Sequence, residues 1–252
     1  MRPEADTDTD RGASARPDPD TTRLAALHAA LGALPVAPGL ANPYTTARTG
    51  LDRDASAPAR RRAHLDAYLR LRIGHARILL IAEAPGYQGA RFSGLAMTCE
   101  RTLVGAKPDV PAGSVLPDAA NTGRTSAAAA GRNRPERDHG FCEPTASIVW
   151  RALVHHGLER QTVLWNTFPL HPHRPGQPLT NRTPTDGEVQ AGAPVLDLML
   201  ALFPGARPVA VGRTAARHLA ASGIEAPALR HPANGGAGAF RRGLAEIART
   251  LR

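Results

Sequence analysis

The sequence predicts an α/β protein, a three-layer sandwich with a central, mostly parallel sheet flanked by helices. Three apolar runs of strand length predict the sheet, helical periodicities between them predict the outer layers, and their alternation favours parallel strands joined by crossovers. Residues 1–20 (MRPEADTDTDRGASARPDPD) are polar and without an apolar period, which predicts a disordered acidic tail ahead of one domain at 21–252. A short helix is expected over 23–34, stopped by Pro35, and a longer one over 58–73, where Leu65, Leu69 and Ile73 share a face. The opposite face holds Arg60, Arg61, Arg62, Arg70 and Arg72, which either solvate the helix or face phosphates. RILLIA (77–82) reads as a strand buried on both faces, and TVLWN (162–166) and RPVAVG (207–212) look alike. The stretch 102–139 offers Gly, Pro, Ala and Arg without a period and is expected to be a flexible insertion or lid. Thr185-x-x-Glu188 is a capping-box pattern opening a helix with Val189, Leu196, Met199, Leu200 and Phe203, which Pro194 is expected to bend. A further helix follows Gly212 and stops near Gly223, and a last one runs over about 239–251.

Composition narrows the function classes. No run approaches 18 apolar residues and no basic-then-apolar leader is seen, so a cytoplasmic protein without a membrane partner is expected. Two cysteines, Cys99 and Cys142, cannot by themselves make a four-thiolate metal site and read as reduced thiols. The net charge is +9; residues 1–20 hold six acids and three arginines, so the rest of the chain carries +12. Such a surface favours polyanions, nucleic acid foremost, although an arginine-rich composition with ordinary solvated faces gives the same total. No obligate protein partner is evident.

In open parallel sheets ligands bind beyond the carboxyl ends of the strands. The first strand exits into AEAPGYQGARFSG with Glu83 at the exit, the second ends on Asn166, and the segment after the third strand and its helix ends in RHPANGG. Hydrolysis of a base–sugar bond needs help at three places. A carboxylate beside the cationic sugar positions or deprotonates water, which suits Glu83. A carboxamide matches the pairing edge of a flipped base, which suits Asn166, and a donor at the base oxygen where charge grows suits His231. Taken singly, each has an ordinary structural role as cap, turn former or surface histidine.

The AEAPG segment resembles the first motif of uracil-DNA glycosylases, NRTPTDGEVQAGAPVL with GARPVAVGRTAARHL resembles the stretch ahead of their final motif, and HPA (residues 231–233) resembles their HPS-type motif. The resemblance implies a four-stranded sheet, DNA as partner, Glu83 and His231 as catalytic residues and Asn166 as base reader. It implies a base pocket with Pro85, Gly86, Tyr87 and either Phe92 or Phe168, and DNA contacts from Arg230, Ala233, Asn234 and Gly235. The iron-sulfur branch is nearest in pattern, but its cluster cysteines are replaced, for example by Gly192, so no cluster, metal or other cofactor is expected. The position that holds a stacking aromatic in the family reads Ala96-Met97, which leaves room for a larger modified pyrimidine as target. Two other classes stay open: a binding relative without turnover, and a metallohydrolase built on His171 and His173.

Overall fold

The structure is a computed structural model that describes residues 18–117 and 123–251. In chain order, α1 (Pro19–Ala33) and β1 (Leu40–Ala41) precede α2 (Ala57–Arg70), β2 (Ile78–Ala82), α3 (Ala90–Ser93), α4 (Glu100–Leu103), α5 (Ala112–Val115) and α6 (Arg134–His139). They are followed by α7 (Pro144–His156), β3 (Thr162–Asn166), β4 (His171–Pro172), α8 (Asp186–Leu202), β5 (Arg207–Val211), α9 (Arg213–Ala221), β6 (Ala228–Leu229) and α10 (Ala237–Thr250).

The central sheet has four parallel strands in the order β3-β2-β5-β6. Every residue of β2 and β3 is buried, as strands covered on both faces must be, including Thr162 and Asn166 at the two ends of β3. Their register pairs Ala82 with Asn166, so the first and second strands end level. Helices flank this sheet: α1 packs on α8, α9 on β5 and β2, and α10 on α7 and β6. A small antiparallel pair sets β1 against β4.

The predicted capping box is present: Glu188 N donates to Thr185 Oγ1 at 3.2 Å, and Thr185 N donates to Glu188 at 2.8 Å. Pro194 lies inside α8, which continues through it as one helix. The tail expected over 1–20 lies outside the described residues up to residue 17. Asp18 caps α1 by accepting from Thr21 N, and Pro19 stands in the first turn, where a missing N–H is harmless. Asp18, Pro19 and Asp20 therefore belong to the helix start rather than to the tail.

The described part of 102–139 is tied to the core. Val110, Val115 and Leu116 are buried, and the buried Glu100 accepts from Thr125 N at 2.6 Å and Ser126 N at 2.9 Å. The arginine face of α2 is not simply solvated. Arg61 and Arg72 are fully buried, because the chain surrounds their guanidiniums with acceptors. Arg72 donates to the carbonyls of Tyr68, Ser114, Val115, Glu159 and Thr162, and lies 3.8 Å over the Tyr68 ring. Arg61 and Arg91 both donate to Asp52, itself buried. Burial alone would raise the Asp52 carboxyl; the hydrogen bonds and charge of Arg91, with the charge of Arg61, hold it below its usual range.

Candidate active site

Parallel strands that end level present their exits to one hollow. A cavity of about 530 Å³ opens there, within the range of ligand sites. Its wall contains Glu83 just past β2, Asn166 at the end of β3, and His231 in the segment after β6. Pro85, Gly86 and Ala233 line it as well. The three polar groups expected to act together thus share one wall.

Each is held by local bonds. The Glu83 carbonyl accepts from Phe168 N at 3.1 Å and from Thr167 Oγ1 at 2.9 Å, pinning the strand exit while its side chain stays half-exposed. Asn166 is buried. His231 Nδ1 accepts from Ala233 N at 3.1 Å, so the neutral ring carries its proton on Nε2. Burial first, and then Arg230, lower the His231 pKa, while the negative charge of Glu83 opposes them. The net effect favours a neutral imidazole. The loop that follows is tight: Asn234 and Gly235 take left-handed backbone conformations at φ 52° and 76°. A Cβ on Gly236 would fall 2.0 Å from the His231 carbonyl oxygen, so only glycine fits that close approach.

Three expected base contacts lie elsewhere. Tyr87 is not on the cavity wall; its hydroxyl accepts from Arg132 at 2.6 Å and its ring meets Phe141 edge-on. Phe92 is fully buried and stacks on Phe141 at 4.7 Å, with the guanidiniums of Arg61 and Arg91 also against its ring. Phe168 is buried against Gly192 on the α8 side. Neither phenylalanine reaches the cavity; Met97, at the position where the resemblance misses its aromatic, does. A thioether is apolar and polarisable enough to lie against a ring. Arg230 lines a separate hollow of about 410 Å³ with Arg213 and Gly212, with His231 on the wall common to both.

The cavity also holds groups the sequence did not single out: Gln88, Glu143, Asn181, Arg182 and Thr183. Asn181 Oδ1 accepts from Tyr87 N at 2.9 Å, and Arg182 is paired with Glu188 at 2.6 Å. Pro144 marks a helix start and with it Glu143 as the N-cap of α7, but nothing in the local sequence places that N-cap on the cavity.

His171 supports the loop rather than forming a metal centre. Its Nδ1–H donates to the Pro85 carbonyl at 2.8 Å, and among the described residues no three His, Cys, Asp or Glu side chains gather at a metal-binding distance. Burial drives its pKa down to about 4, from an ordinary 6.5. Between those values the unfolded chain binds more protons than the folded one, so stability is whole above pH 6.5 and drains as pH falls toward 4. Thermal or urea melts across this window are expected to show a loss of about 3 kcal/mol that shrinks in His171→Gln. An equal loss in both proteins would refute this assignment.

A family model described as the uracil DNA glycosylase superfamily matches residues 70–249. No curated protein matches the chain in sequence. Among solved structures, the chain is similar to the crystal structure of wild-type Pedobacter heparinus SMUG2, with a TM-score of 0.54 at 10% identity, covering 91% of this chain and 97% of that one. At that identity the likeness concerns the fold.

Proposed function

The chain belongs to the uracil DNA glycosylase superfamily, and from that premise we propose that it takes a uracil or modified pyrimidine out of the DNA stack and hydrolyses its N-glycosidic bond, leaving an abasic site. The activity would reside in one domain over 21–252. The observation that carries the reading is the common wall of Glu83, Asn166 and His231.

As the bond lengthens, the sugar gains oxocarbenium character and the base gains negative charge. Glu83 stabilises the sugar and orients or deprotonates the attacking water. Asn166 pairs with the flipped base. The Nε2–H of His231 donates to the base oxygen, its direction fixed by the Ala233 N–H on Nδ1. Pro85, Gly86 and Met97 supply the surface around the base. Arg230 meets a phosphate, and Ala233, Asn234 and Gly235 hold the strand from which the base has left.

A bulkier target, such as a hydroxymethylated or glucosylated cytosine of phage DNA, is favoured by one observation: Gly86 places no side chain on the cavity wall, which is otherwise polar at Asn181, Arg182 and Thr183. That reading makes the protein a defence enzyme rather than a repair enzyme. A panel of single- and double-stranded oligonucleotides bearing uracil, hypoxanthine or glucosylated hydroxymethylcytosine, scored for alkali-labile abasic sites, separates the two. Uracil release without release of the bulky base removes the defence reading. DNA binding that weakens with salt and yields no abasic product from any substrate identifies a relative without turnover.

A further inference from the structure

We propose that Glu143 is a second base-reading residue, set to meet the C4–C5 side of a flipped pyrimidine beside the Asn166 carboxamide. The proposal rests on the glycosylase reading above. Helix α7 leads into β3 as the crossover between parallel strands, so it runs antiparallel to β3 and starts at the edge where Asn166 ends. Glu143, immediately before α7, lines the cavity together with Gly86, Asn166 and Asn181.

The carboxyl is seated in the first-motif loop. A Cβ on Gly89 would fall 1.9 Å from Glu143 Oε2, and one on Gly86 would stand 3.8 Å from Oε1. Oε2 is buried, yet no protein group bonds it. Gly89 is not on the cavity wall, so the oxygen on the ligand's side is Oε1, beside Gly86, and the unbonded Oε2 means that no protein group ties the carboxyl down against a ligand.

The surroundings also set its protonation. Burial foremost, and then the negative charge of Cys142, push Glu143 up to about 7. Cys142 is held below the ordinary thiol range, first by a hydrogen bond from the Cys99 thiol and then by Lys107. A neutral carboxylic acid donates through its O–H and accepts through its carbonyl, whereas a carboxylate only accepts.

The Asn166 amide spans two neighbouring positions of the pairing edge, N3 and the C4 substituent. A protonated carboxyl next in order meets a substituent at C5. A hydroxyl there satisfies it in either polarity; a methyl leaves a buried polar group unpaired and is rejected. With Gly86 offering no bulk against C5, Glu143 would be the feature that spares thymine while admitting a polar substituent.

Single-turnover rates test this on the full chain, with 5-hydroxymethyluracil against uracil and 5-hydroxymethylcytosine against cytosine. In Glu143→Leu the preference for the hydroxymethyl base is expected to fall by at least about tenfold, and in Glu143→Gln, which keeps a donor and an acceptor, to persist. Gly86→Ala, whose new methyl meets Asn181 Nδ2 at 3.5 Å and Glu143 Oε1 at 3.8 Å without a clash, is expected to lower the same ratio and serves if Glu143→Leu does not fold. Ratios unchanged within twofold in the folded variants overturn the Glu143 assignment alone, as does a native chain that releases uracil but no hydroxymethyl base. A native chain that releases no base overturns the glycosylase reading with it.

Discussion

Replacing Glu83 with alanine is expected to slow base release by about 10²- to 10⁴-fold, the range a positioned acid–base group supplies. The affinity for the same DNA should stay within a small factor, because in the proposed role this carboxylate acts on charge that exists mainly in the transition state. Its place supports the separation of effects. Glu83 is half-exposed at the strand exit, and the bonds that shape the turn go to its backbone carbonyl, not to its side chain. Single-turnover kinetics alongside fluorescence anisotropy with the same oligonucleotide measure the two quantities. Equal losses in rate and affinity would show a residue that merely holds the site together.

Replacing Asp52 with alanine is expected to lower folding stability by about 3–5 kcal/mol, read as a shift in the urea midpoint at constant slope. Asp52 is buried and is the carboxylate on which Arg61 and Arg91 converge. Removing it leaves two cations in the interior facing each other without compensation. Arg91 belongs to α3, directly after the AEAPG turn, so the damage should extend to the cavity. Arg61 further donates to the Pro43 and Phe92 carbonyls and to Thr125, so the loops around the first motif lose a common anchor. A variant with native stability would mean that water reaches the two guanidiniums.

Much of the fold was legible because the strands that matter are short runs with an apolar, buried centre. Residues 78–82, 162–166 and 207–211 each stand out as a run, and the level exits of the first two follow from their register. The fourth strand, Ala228–Leu229, has two residues, too few to show a period. Helix α7 was missed although its Val149, Trp150 and Leu153 are buried at helical spacing and Pro144 and Gly157 mark its ends. Glu83, Asn166 and His231, which share the cavity wall, could be singled out because strand ends and a His-Pro turn mark them. The stacking partner could not, because whether Phe92 faces a cavity or the interior depends on Phe141, forty-nine positions away and invisible to local pattern. Glu143 escaped for a related reason: its approach to the cavity is set by the direction of α7, not by its neighbours in sequence.

The interior arginines change what the chain's overall charge means to a passing polyanion. Arg61, Arg72 and Arg91 face inward, where carbonyl oxygens and Asp52 occupy them, so they cannot shed counterions when DNA docks. Attraction at a distance must come from peripheral cations such as Arg213 and Arg230 beside the His231 loop. The steepness with which ionic strength weakens association therefore counts that outer set, while the net +9 stays with the periphery, because buried Asp52, Glu100 and Glu136 offset the three interior arginines.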